Sequence, residues 1–144
     1  IRFGEWILVQ QEAMGNEYIL QKNLEPYIHD FVLQRHDWGD ATNWDINILD
    51  GDKVNSITLS DDPTKVKKCL GLVSDVEDTS WMHKEGKWKR GEIYITSTTV
   101  DRGTVLVLKD DSTNDTMRFK GDYIKGKWNL TAKENDTWEF TSLD

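Results

Sequence analysis

Phe3-Gly4-Glu5-Trp6-Ile7-Leu8-Val9 is an apolar run entered through a Gly-x-Trp step, and it passes into the polar stretch Gln10-Gln11-Glu12. A large indole just after a flexible glycine, at the start of a strand, suits a residue that plugs one end of a β-barrel or sandwich. The step recurs as Gly86-Lys87-Trp88 and Gly126-Lys127-Trp128. The same architecture is therefore expected at several places along the chain.

Outward from that stretch, Gly15-Asn16 reads as a turn and Tyr18-Ile19-Leu20 as the start of a return strand. Tyr27 to Trp38 reads as a long strand with apolar groups on both faces: Tyr27, Phe31 and Leu33 on one, Ile28, Val32 and Trp38 on the other. One face is expected to meet a core and the other a cavity or a partner. Trp44-Asp45-Ile46-Asn47-Ile48 alternates most cleanly. A loop from Asp50 to Lys53 then sets Ile46 opposite Ile57 and Trp44 opposite Leu59, the register that keeps one face apolar. Asp62-Pro63 followed by Val66, Cys69, Leu70 and Val73 predicts one short helix over 63–70, stopping near Gly71.

Ser74 to Glu85 reads as a loop anchored by Trp81 and Met82. Asp101-Arg102-Gly103 reads as a hairpin loop, and Asp110 to Asp115 as an exposed one. The last hairpin turns about Asn135-Asp136, with Leu130 opposite Phe140 and Ala132 opposite Trp138. The pattern predicts one all-β domain over 1–144. It is an antiparallel up-and-down β-barrel of nine or ten strands with that short helix, a two-sheet β-sandwich being the second choice.

Composition narrows the partners. The chain has 144 residues, 37% hydrophobic and 31% charged, and no run long enough to cross a membrane. A net charge of −8 argues against nucleic acid. The charge is uneven: six acids face one base, Arg35, between Asp30 and Asp52, whereas His83 to Arg90 holds four bases and one acid and reads as a solvated basic turn. The lone Cys69 allows no internal disulfide and points to a reducing, cytoplasmic compartment. Against that stand sequons at Asn114, Asn129 and Asn135, which also read as ordinary polar positions.

Phe3-Gly4-Glu5-Trp6-Ile7-Leu8 resembles the opening of the calycins, the lipocalin and fatty-acid-binding-protein group. In that family a Gly-x-Trp closes the barrel base under an arginine from the last strands. Two features depart from the family: the predicted helix lies mid-chain, and Trp138-Glu139-Phe140-Thr141 lacks the arginine, Arg118 being the nearest. Ser60-Asp61-Asp62-Pro63 and Thr104-Val105-Leu106-Val107 are similar to stretches of the S-type bilin lyases, a calycin branch. The resemblance implies a hollow barrel for a small hydrophobic molecule, a pigment such as a bilin among them.

No nucleophile motif, phosphate loop or zinc spacing is present in the sequence. The chain reads as a binder rather than an enzyme, with no catalytic residue and no metal ligand assigned. The candidate ligand-binding residues are Tyr27, His29, Phe31, Leu33 and Arg35, which share one strand face, with Trp44. Two alternatives stand beside this. One is a β-sandwich interaction module of a surface or virion assembly that meets glycan or protein through exposed Trp38, Trp81 and Trp88. The other is a bilin lyase or isomerase, which needs paired acids inside the barrel.

Overall fold

The structure, a computed structural model, describes residues 28–144. The Gly-x-Trp strand, the Gly15-Asn16 turn and Tyr27 lie outside the described residues. The described strands are β1 (Ile28–Trp38), β2 (Ala41–Asp50), β3 (Lys53–Leu59), β4 (Lys68–Val76), β5 (Gly86–Arg90), β6 (Ile93–Asp111), β7 (Asn114–Gly121), β8 (Lys125–Ala132) and β9 (Trp138–Ser142).

All pairings are antiparallel, in the order β1-β2-β3-β4-β9-β8-β7-β6, and β6 pairs back onto β1. Eight strands therefore close a barrel, and β5 is bonded outside it, along β6 beyond the end of β7. Closure removes the free edges that an open meander would present to other chains. The sandwich alternative is set aside.

Alternation along each strand separates inside from outside. Phe31 and Leu33 of β1, Ile46 and Ile48 of β2, and Ile57 and Leu59 of β3 point inward, joined by Val105, Met117, Phe119, Leu130 and Phe140. The expected registers Trp44↔Leu59, Ile46↔Ile57, Leu130↔Phe140 and Ala132↔Trp138 all occur. The loop after β2 is tighter than expected: Asp50 pairs with Lys53 around Gly51-Asp52, with Gly51 at φ 66°.

Two expected elements are corrected. No helix spans 63–70. Asp62 caps a single turn by accepting from the Thr64 N–H and hydroxyl, and β4 begins at Lys68. The apolar stripe of Val66, Cys69, Leu70 and Val73 is divided by the sheet, which buries Cys69 and turns Leu70 outward. Gly71, read as a helix stop, is instead a point of close approach: a Cβ there would meet the Thr58 carbonyl oxygen at 2.8 Å.

Asp101-Arg102-Gly103 is likewise no hairpin loop, since β6 runs unbroken from Ile93 to Asp111. Its turn-like composition serves two other ends. Gly103 lies against β7, where a Cβ would run into the Lys120 carbonyl oxygen. The Asp101 carboxylate accepts from the amides of Arg102, Asp122, Tyr123 and Ile124, holding the β7–β8 turn.

Barrel order places β4 three strands away from β6 on the β3-β2-β1 side, so the chain must cross those strands to continue. It does so outside the barrel, as a strap over residues 77–85 that contains a 3-10 turn (Thr79–His83). Met82, 2% exposed, packs with Val32, Val54, Leu49 and Val76 on the outer wall. The second apolar face of β1 is thus covered by the chain itself.

Candidate functional site

The interior is the first place to look for a ligand. Phe31 and Leu33 are 1% and 0% exposed. Phe31 meets Phe119 edge-on at 5.1 Å, Phe119 meets Phe140 edge-on at 6.0 Å, and Trp128 stacks on Phe140 at 4.4 Å. An eight-strand barrel is just wide enough for side chains to fill, and at this level they do. His29 and Arg35 share the inward face of β1 but lie at opposite ends of this layer, roughly 20 Å apart along an extended strand. His29 Nδ1 is 3.1 Å from the Leu49 carbonyl oxygen. Arg35 Nε donates to Asp37 at 3.2 Å, and Trp44, opposite Arg35 on β2, packs half-buried against the core.

Paired acids do occur, at the opposite end of the barrel from Arg35. Asp115 lies opposite Asp110 across the β6–β7 hairpin. Burial, then the hydrogen bond and charge of Asp110, push its carboxyl up to about 7. It also accepts from the Asp111 N–H at 3.2 Å, so the cluster ties its own hairpin. Among the described residues no group of three or more His, Cys, Asp or Glu is placed to hold a metal ion. The Cys69 thiol is pushed up to about 11 by burial and by Asp61, which leaves it protonated and inert.

Polar and aromatic groups converge instead on the outer wall where the strap runs into β5. Trp88 of β5 and Trp38 of β1 flank Ile95 of β6 in register. Trp81 of the 3-10 turn meets Trp88 at 6.0 Å. The three tryptophans named from the sequence as exposed are therefore on one face, each half-buried. The Lys84 ammonium lies 4.1 Å from the Trp81 ring centroid and 4.2 Å from that of Trp88. The Arg90 guanidinium lies 5.9 Å from Trp38. Each such contact contributes roughly 0.5–2 kcal/mol, more as water is excluded.

This face is braced from below. Trp38 Nε1 donates to Asn43 Oδ1 at 2.6 Å, Asn43 donates to Asp45 at 3.1 Å, and the second Asp45 oxygen lies 3.1 Å from His36 Nδ1. His36, 6% exposed, presents its ring edge-on to Trp88 at 6.3 Å. A second chain runs across the strands: Ser56 donates to Asn47, Asn47 to Gln34, and the Gln34 amide to the carbonyls of Trp81, Met82 and Lys84. Ser97 adds a hydrogen bond to the Lys84 carbonyl at 2.8 Å. Both the rings and the backbone root of Lys84 are thereby fixed.

The sequence pointed to the tryptophans and the basic run but not to this support. Gln34 and His36 alternate with the inward-facing residues of β1, and polar groups at such spacing read as solvated until the strap is known to cover them.

Compared with known proteins, the chain matches no family model and no curated protein. What stands is the architecture, a closed antiparallel eight-strand barrel with one extra strand, consistent with a calycin-like barrel. No helix among the described residues is long and apolar enough to cross a membrane.

Proposed function

We propose that the protein is a non-catalytic binding domain that takes carbohydrate on its outer tryptophan face. The observation that carries this reading is the meeting of Trp38, Trp81 and Trp88 on one braced surface. Half-buried indoles offer flat apolar area with little conformational entropy to lose. A sugar ring, apolar on its C–H face and polar at its rim, complements such a surface.

A second reading follows from closure of the sheet. A small apolar or aromatic ligand, with a bilin as the pigment example, would sit inside the barrel against Phe31, Leu33 and Trp44 of the expected pocket wall. The fold is compatible with it, but the ligand must displace the Phe31–Phe119–Phe140 packing, which few ligand contacts offset. A titration of intrinsic fluorescence against neutral oligosaccharides, fatty acids and bilins separates the two. Quenching by oligosaccharide that is lost in Trp88→Ala supports the outer face. Quenching by the hydrophobic set alone contradicts it.

A further inference from the structure

We infer that the ligand of the tryptophan face is an acidic carbohydrate, one whose rings carry carboxylates, with Lys84 and Arg90 as the groups that read the charge. The inference rests on the proposed use of that face. Its own support is the placement of cations over the rings on which a sugar would stack. Lys84 takes one face of Trp81 and of Trp88, so a sugar laid on the other face of either ring meets the ammonium past the ring edge, where a carboxylate would reach it. The Lys84 carbonyl, held by Gln34 and Ser97, fixes the root of the side chain, so little order has to be created on binding. A charge-assisted hydrogen bond in this partly desolvated position is stronger than its solvent-exposed equivalent.

Charge complementarity sets the size of the anion. Lys84 and Arg90 are the bases on the tryptophan face of a chain of net charge −8, and the adjoining β1–β2 end holds Asp37, Asp40 and Asp45. Repulsion from those acids reaches over about 8–10 Å at ordinary salt. A short sugar with spaced carboxylates stays beside those two bases. A long polyanion such as single-stranded DNA, which also stacks on aromatic rings, runs past them onto acids.

Lys87 and Lys89 lie on the opposite face of the hairpin, over Tyr94 at 4.7 and 5.8 Å, and supply an internal control. The experiment is calorimetric and fluorescence titration of the full chain with an oligogalacturonate and with its methyl ester, at about 0.05 M and about 0.5 M salt. The acid form is expected to bind about ten-fold more tightly at low salt, the advantage shrinking to about two-fold at high salt. The double variant K84Q/R90Q should bring the two affinities together, whereas K87Q/K89Q should keep them apart.

Equal binding of acid and ester overturns the inference and leaves carbohydrate binding by the face intact. Loss of the preference in K87Q/K89Q as well overturns it in favour of a net-charge effect. A single-stranded DNA oligonucleotide binding more tightly than the acidic sugar overturns it in favour of nucleic acid. Binding of neither sugar overturns the inference and the functional reading together.

Discussion

Asp101 shows how much one side chain can hold. It is 4% exposed, and its oxygens take N–H groups from Asp122 and Tyr123 at 3.0 Å and from Arg102 and Ile124 at 2.8 Å. Ile124, carried by that turn, is 1% exposed and belongs to the core. Asp101→Ala should cost at least about 3 kcal/mol in urea unfolding, because buried donors lose a charged acceptor. Asp101→Asn should cost nearly as much, since its NH₂ would face other donors; an Asn variant of wild-type stability contradicts the role. Asp115 acts in the opposite sense. Its folded-state carboxyl, pushed up to about 7, holds its proton more tightly than in the unfolded chain. The resulting penalty is absent below about pH 4 and grows until about pH 7. Asp115→Asn should therefore raise the thermal midpoint at pH 8 by a few degrees and leave it almost unchanged at pH 4. Parallel midpoint curves for the two proteins would refute this.

Among the elements, the strap is the one expected to open separately from the barrel. It meets the barrel through one buried methionine, the carbonyls gathered by Gln34 and Ser97, and the Glu85 carboxylate on the Thr99 N–H. Gln34→Leu leaves Trp81, Met82 and Lys84 carbonyls and the Asn47 amide without that partner, at a cost of about 1–3 kcal/mol. Hydrogen exchange should show faster opening confined to residues 77–92, with the β7–β8–β9 amides unchanged. Uniform acceleration across the barrel would mean that the strap is no separate unit. The elements that were legible in the sequence are those with a buried face of strict period two, such as Trp44–Ile48 and Leu130–Phe140. Residues 62–73 misled because a stripe at i, i+3, i+4 and i+7 can equally be shared between the two sides of a strand. Only the need of β3 and β9 for a neighbour decides between them, and that need is tertiary.

For the molecule as a whole, the sequence made antiparallel closure legible, because two hairpins, Trp44–Leu59 and Leu130–Phe140, could be given registers that bury one face. The order of closure was not. Pairing β1 with β6 and β4 with β9 depends on contacts far apart in sequence, and no local pattern encodes them. That order forces a crossing on the outer wall, and the crossing brings Trp81 beside Trp88 and Lys84 between them. The tryptophan face is thus a product of topology, whereas the inward face of β1, where a pocket wall was expected, is largely committed to packing. The direct test is a two-dimensional ¹H–¹⁵N spectrum that follows the indole Nε1–H signals during titration with oligogalacturonate. The signals of Trp38, Trp81 and Trp88 should shift together while those of Trp44 and Trp128 stay in place. Shifts of Trp44 and Trp128, with the three outer indoles still, would place the ligand inside the barrel and contradict the account.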